Sequence, residues 1–269
     1  MIRIISIFIF VLNALCFSQT NYSIYFDGNT IAIKDTNNWR SGDSQGTISF
    51  WVKYDGFQSN FDCFFSTTYE NAVERYIRVR QPTTVVAQIN ERNNDTGTAV
   101  AGNTVISSGW HWVCIVSGGT AYTLYVDSVK QTLTITSSNT GDWFADIDAR
   151  NNVVIGGAKA ISELFKFSGW IDEVYIDSTA KNAAWVQSVY EGYLADNQDL
   201  TDTTTAVAYW RFDQGTSDVV GTTHLTINGT ETYTTDVPFS YPVSNTNLYS
   251  NNFTGFPEYP DFINDEAIQ

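Results

Sequence analysis

The sequence predicts an all-β protein: two antiparallel sheets packed as a sandwich, with one short helix and a C-terminal extension. Three observations carry this. Short runs of β-branched and aromatic residues recur along the chain, from YSIYF (22–26) to HLTING (224–229). Several of them alternate apolar and polar side chains, the period of a strand with one buried face. Gly, Asn, Asp and Ser separate the runs, and each makes turns for a local reason: Gly and Asn tolerate positive φ, while Asp and Ser bond their own backbone.

The chain opens on MIRIISIFIFVLNALCFSQT. Arg3 gives a basic start, Ile4 to Phe17 is almost unbroken apolar sequence, and Cys16 and Ser18 are small residues at −3 and −1 of a cut before Gln19. This is the pattern of a secretory signal over 1–18, and the run falls short of the roughly 18–20 residues of a membrane span. The expected setting is secreted, extracellular or at the cell surface.

The strand-like runs follow in order. They are TISFWVKY (47–54), FDCFFS (61–66), RYIRVR (75–80), VVAQIN (85–90), WHWVCIV (110–116), YTLYVD (122–127), TLTI (132–135), NVVIGG (152–157) and WIDEVYI (170–176). STAKNAAWVQSVYEG (178–192) breaks the pattern. Trp185, Val186, Val189 and Tyr190 recur at helical spacing, so a helix is expected over about 180–192, capped by Ser178 or Thr179 and ended by Gly192. A flanking strand segment spans 206–229, and 239–269 is an aromatic, Asn-rich tail without a period.

The 269 residues hold 14 Lys and Arg against 29 Asp and Glu, a formal charge of −15. This excludes nucleic acid and anionic membranes as natural partners, since both demand a basic footprint. No later stretch is apolar enough to cross a bilayer, so no membrane insertion of the mature chain is expected. Cys63 and Cys114 are either a disulfide or two buried thiols; two cysteines cannot build a disulfide scaffold.

Several of these runs, in this order, resemble the laminin-G-like, or concanavalin A-like, jelly-roll domains of secreted bacterial and phage-associated proteins. YFDGNTIAI (25–33), GTISFWVK (46–53), GWHWVCIV (109–116), LYVDS (124–128), VIGG (154–157) with FSGWIDEVYI (167–176), and AYWRFDQG (208–215) carry the resemblance. It covers about 22–238. The departures are Trp112 for a second His, Ser128 for the hairpin Gly and Gln214 for a Glu. The resemblance implies a jelly roll, a fold that hosts lectins, hydrolases and adhesins alike, so function has to be argued from the site.

Chemistry is sought first in FSGWIDEVYID (167–177), which carries Asp172, Glu173 and Asp177. Strict alternation puts Asp172 and Glu173 on opposite faces and separates Glu173 from Asp177 by ~13 Å. Glycosidases need carboxylates ~5–5.5 or ~6.5–9.5 Å apart. GDSQG (42–46) matches G-x-S-x-G in letters, but a strand follows it where the nucleophile elbow needs a helix. The chain is therefore read as non-catalytic.

Three constellations remain. The resemblance brings the opening FDG near the closing IDE, where Asp27, the Gly28 carbonyl and Asp172 can hold a structural Ca²⁺; the alternative is that Asp27 caps a turn and Asp172 accepts backbone N–H groups. In the loop GDWFADIDARNN (141–152), Trp143 and Phe144 are either a sugar platform or a plug over the sandwich end, and Asp142, Asp146 and Asp148 are either a rim metal site or solvated. Lastly, Arg75, Arg78, Arg80 and Arg92 cluster against the acidic background. If their strands pair with Gln88 and Asn90 opposite, Tyr76, Arg78, Arg80 and Arg92 form an Arg/amide/Tyr face suited to carboxylates. The function expected is a recognition module for carbohydrate or a cell-surface glycoconjugate or protein. The alternatives are a structural or adhesion component of a surface assembly or virion, and a glycoside hydrolase with an unrecognised site.

Overall fold

A computed structural model describes residues 20–55, 62–72, 74–81, 86–94, 96–161, 163–196 and 203–239. The signal read over 1–18 and the tail beyond Phe239 lie outside the described residues.

The fold opens with β1 (Ser23–Asp27), β2 (Ile31–Asp35), β3 (Gly46–Tyr54), β4 (Cys63–Thr68), β5 (Arg75–Arg80), β6 (Val86–Asn93) and β7 (Thr96–Val105). Then come β8 (His111–Ser117), β9 (Tyr122–Val126), β10 (Val129–Lys130), β11 (Thr134–Thr136) and β12 (Asn152–Ile155). A small hairpin, β13 (Ala158–Lys159) and β14 (Glu163–Leu164), precedes the long β15 (Ser168–Asp177). The helix α1 (Ala183–Asp196) and three strands, β16 (Ala206–Trp210), β17 (Thr226–Asn228) and β18 (Tyr233–Thr234), complete it.

Two antiparallel sheets form as expected. The first runs β10-β9-β8-β3-β15-β1-β18, with β16 also paired to β15; the second runs β11-β7-β6-β5-β4-β12-β2-β17. Between them lies one core, to which Ile24, Phe26, Phe50, Val52, Phe64, Ile77, Val79, Ile89, Val113, Ile115, Val153, Ile155 and Ile171 contribute. Each such side chain contributes about 1.5–3 kcal/mol on burial, and the alternation of each strand decides which ones face inward.

Part of the outer face of the first sheet is covered too. Trp51, Trp112, Tyr175 and Tyr209 pack against Val186 and Tyr193 of α1 and against Phe239. The helix starts one turn later than its sequence suggests. Asn182 is the cap, its Oδ1 accepting the Trp185 N–H at 2.9 Å. Thr179 is engaged elsewhere, with its N–H and hydroxyl both given to Asp177. Gly192 does not end the helix, because Tyr193 beyond it is buried 5.9 Å from the Trp51 ring.

Strand β15 departs from strict alternation. Asp172 pairs with Trp51 but Tyr175 pairs with Ser49, so one extra residue is inserted, and Glu173 takes φ +52. This is a β-bulge. Ile171, Val174 and Ile176 all reach the core. Asp172, cross-strand from the outward Trp51, and Glu173, bonded to Tyr209, therefore share the outer face, correcting the expectation that they point apart. All three carboxylates of the stretch are fully buried and held by named groups. Asp172 accepts the Glu173 N–H, Glu173 accepts the Tyr209 hydroxyl with Arg211 at 3.9 Å, and Asp177 accepts from Tyr175, Thr179, Thr205 and Lys181. Burial opposes ionisation of Asp177, but those hydrogen bonds hold its pKa below the ordinary carboxylate value.

The hairpin between β9 and β10 keeps its shape despite Ser128. Asp127 and Ser128 both take positive φ, +51 and +63, the type I′ geometry that suits a two-residue turn. Cys63 on β4 and Cys114 on β8 lie in different sheets and are free, buried thiols. Burial pushes the Cys63 thiol up to about 12 and raises Cys114 as well.

Candidate functional site

The Arg-rich strands pair with Gln88 and Asn90 opposite, the register on which the Arg/amide/Tyr face depends. Across β5 and β6, Tyr76 faces Arg92, Arg78 faces Asn90 and Arg80 faces Gln88. On β4, Ser66 faces Arg78 and Thr68 faces Tyr76. The intervening Ile77, Val79 and Ile89 point into the core, so the polar set occupies the outer face of the second sheet.

Arg78 sits at the centre. Its guanidinium carbon lies 3.7 Å from the Tyr76 ring centroid and 5.0 Å from that of Phe165. The residue is only 4% exposed. Among the described residues its Nε has no hydrogen-bond partner and no carboxylate pairs with it. Opposite it, Asn90 donates to the Thr98 carbonyl at 2.8 Å, while its buried Oδ1 accepts nothing among the described residues. A buried donor and a buried acceptor thus stand unmatched on adjacent strands. Each such group costs about 1–3 kcal/mol, and a site of this kind calls for a ligand or water to complete it.

The flanking residues are better satisfied. Arg80 Nε donates to Gln88 at 2.9 Å. Arg92 donates to the Asn94 carbonyl at 2.7 Å and lies 3.5 Å from Glu74 at the rim. Burial lowers the pKa of both Arg78 and Arg80, yet guanidinium remains charged at any working pH. The face is a recessed cation, walled by aromatic rings and amides, with further arginines beside it.

The other candidates fare differently. Trp143 and Phe144 are fully buried in the inter-sheet core, with Phe144 5.2 Å from Trp39. They are the plug, not an exposed platform, because the loop folds inward over the sandwich end. A Cβ on Gly46 would come within 2.4 Å of Trp143 Nε1, so the start of β3 leaves room for the indole. The proposed Ca²⁺ bridge is corrected as well. Asp27 pairs with Ser168, four residues before Asp172 on β15, a separation of ~13 Å along the strand. One ion with bonds of ~2.3–2.6 Å cannot span it. Asp27 instead accepts the N–H groups of Asn29 and Thr30, both at 2.9 Å, and the first of these does most to lower its pKa. Gly28 takes φ +79 in that turn. Among the described residues no group of three metal-ligating side chains converges.

The acidic loop has a physical consequence of its own. Asp146 accepts the Trp143 N–H at 2.7 Å and so shapes the turn. Beneath it lies Glu91, 3% exposed. Burial, then the charge of Asp142, raises its pKa from 4.5 to about 7. The folded state therefore binds a proton that the unfolded chain releases near pH 4.5. This contribution is complete below pH 4.5 and is lost as pH rises to about 7. Thermal melts of wild type should fall in midpoint across that window, by at most roughly 3 kcal/mol of stability. Glu91→Gln should flatten the slope there, and an unchanged slope would refute the assignment.

His111 forms a triad-like chain: its Nδ1 is 2.7 Å from Asp127 and its Nε2 is 2.7 Å from the Ser107 hydroxyl. The loop's own N–H groups join the same set. Ser107 N–H is given to His111 Nε2, and Gly109 N–H to the Ser107 hydroxyl. Asp127 also accepts the Trp112 N–H at 2.9 Å. The set staples the β8 entry to the β9–β10 turn.

The chain's likenesses agree with this architecture. No curated protein matches it. A carbohydrate-binding module of family 40 from the Ruminococcus gnavus IT-sialidase, solved with α2,3-sialyllactose, superposes at TM-score 0.51 with 14% identity, over 64% of this chain and 99% of that one. A Bacteroides ovatus protein proposed to bind carbohydrate superposes at 0.56 with 15% identity, over 83% and 62%. The NanB sialidase of Streptococcus pneumoniae superposes at 0.51 with 13% identity, over 64% and 28%. At such identities these likenesses establish the fold alone. The laminin G sequence profile described as "Concanavalin A-like lectin/glucanases superfamily" matches residues 26–187. With the two-sheet topology, that match makes this chain a member of the concanavalin A-like lectin/glucanase superfamily.

Proposed function

We propose that this protein is a non-catalytic carbohydrate-recognition module that takes a carboxylate-bearing sugar on the outer face of β4, β5 and β6. One observation carries the reading: Arg78 is a recessed guanidinium with an unmatched Nε, facing an amide with an unmatched oxygen. A sugar carboxylate supplies the acceptor that Arg78 lacks, and a neighbouring hydroxyl supplies the donor that Asn90 Oδ1 lacks. Tyr76 fixes the guanidinium plane from behind. The Ruminococcus gnavus module, solved with an acidic trisaccharide, supports the choice of ligand class. The apolar start of the chain supports secretion, where such ligands are met.

A glycan array probed with wild type and Arg78→Gln tests this. Wild type should retain glycans carrying sialic or uronic acids, and Arg78→Gln should lose them. Retention of the same acidic glycans by the variant would exclude the site.

A further inference from the structure

The Ser107, His111 and Asp127 chain fixes more than a turn. Val113 pairs with Val126, which sets Asp127, just past β9, beside His111 at the start of β8. The Asp127 backbone and side chain grip the same residue: its N–H donates to the Trp112 carbonyl at 2.8 Å, and its Oδ1 accepts the Trp112 N–H at 2.9 Å. The carboxylate is thereby held in place, with Oδ2 left for His111 Nδ1 at 2.7 Å.

The hydrogen bonds also assign the tautomer. A backbone N–H can only donate, so the Ser107 N–H, 3.1 Å from His111 Nε2, makes that nitrogen an acceptor. The imidazole proton then lies on Nδ1 and points at Asp127. The Ser107 Oγ–H, 2.7 Å from Nε2, donates to it in turn. Hydroxyl, base and orienting carboxylate stand in the order and polarity that acyl transfer to a serine requires.

The hydroxyl is reachable. Ser107, Ser108 and Gly109 are all exposed. A Cβ on Gly109 would have Ser107 Oγ, at 3.7 Å, as its nearest neighbour beyond the adjoining residues. Two apolar side chains flank the chain on either side of the set. Val105, two residues before Ser107, is 60% exposed, and Val129, two residues after Asp127, is 62% exposed. Gln131 ties their strands together, its Oε1 accepting the Thr104 N–H at 2.8 Å and its Nε2 donating to the Val129 carbonyl at 2.9 Å.

We propose that Ser107 is a nucleophile that takes the acyl group of an ester of a short aliphatic acid, with Val105 and Val129 as the apolar flank for the acyl chain. Ser107 Oγ attacks the ester carbonyl carbon while its proton passes to His111 Nε2. The bond from that carbon to the alcohol oxygen breaks, and the departing alcohol takes the proton back from Nε2. Asp127 stays ionised and holds the Nδ1–H throughout. The products are an acylated Ser107 and a free alcohol. One transfer per chain is what the proposal requires, so it adds a covalent acceptor to the recognition module. It rests on the rim of the first sheet and uses no residue of the Arg78 face.

The full chain is treated with a fluorophosphonate–biotin probe and, separately, with p-nitrophenyl butyrate, and the modified peptide is read by mass spectrometry. Both should mark Ser107, and the ester should release nitrophenolate in a burst stoichiometric with the chain. Ser107→Ala should abolish the mark, Ser108→Ala should keep it, and His111→Gln should slow it at least about a hundredfold. If His111→Gln melts well below wild type, wild type unfolded in urea replaces it and should react as slowly. Nitrogen-15 spectra of wild type should show the His111 proton on Nδ1. The proposal is overturned if neither reagent marks Ser107, if Ser108 is marked equally, if His111→Gln or the unfolded chain reacts as fast as native wild type, or if the proton lies on Nε2.

Discussion

Replacing Arg150 by alanine is expected to destabilise the fold by about 3–5 kcal/mol, lowering the melting temperature by roughly 10 °C. Arg150 is fully buried behind the loop that carries Trp143 and Phe144. Its Nε donates to the Ile147 carbonyl at 3.0 Å and its Nη1 to the Thr67 hydroxyl at 3.0 Å. Its Nη2 donates to the carbonyls of Trp39, at 2.9 Å, and Phe144. One guanidinium thus satisfies four acceptors from three segments, and it lies 5.1 Å from the Phe144 ring. Burial pulls its pKa down to about 10, so it stays charged at neutral pH. Arg150→Lys keeps the charge but not the planar fork, and it should recover only a minor part of the loss. Arg40→Ala is the control. Its pair with Asp43 lies near the surface, so the expected cost is at most ~1 kcal/mol. Equal midpoints for Arg150→Ala and Arg40→Ala would rule out the hub.

Arg78→Gln is expected to weaken binding of an acidic glycan by about ten- to a hundredfold, the worth of one charge-assisted hydrogen bond pair. The same change should leave the unliganded melting temperature unchanged or raise it. Arg78 Nε finds no partner among the described residues, so removing the charge relieves a desolvation cost that only ligand offsets. This opposition between binding and stability is the mark of a functional group. A structural arginine such as Arg150 moves stability alone. Arg92, already engaged by Asn94 and Glu74, should matter less, and Arg92→Ala should change affinity by under about fivefold. Calorimetry and melting of the two variants together distinguish these roles.

Much of this was legible in the chain. The succession of strands and an antiparallel two-sheet sandwich follow from alternation and turn chemistry, and alternation also puts Tyr76, Arg78 and Arg80 on one face and Gln88, Asn90 and Arg92 on another, which the strand register then brings together. The rest depended on contacts that no local pattern encodes. Trp143 and Phe144 read the same whether a loop turns out or in; Arg150, a polar residue, decides it by anchoring that loop from beneath. The bulge at Glu173 needs positive φ in a residue that rarely adopts it, so strict alternation misplaced Asp172 relative to its neighbour. Gly192 looked like a stop, but Tyr193 had a buried partner in Trp51.

The most direct test of the Arg78 site is calorimetric titration of wild type with sialyllactose, an oligogalacturonate and a heparin fragment, each beside its carboxyl-reduced counterpart. The account predicts that at least one acidic glycan binds, that its reduced form binds at least about tenfold more weakly, and that Arg78→Gln erases the difference. Binding of the acidic and reduced forms with equal affinity, or no binding of any acidic glycan, would contradict it.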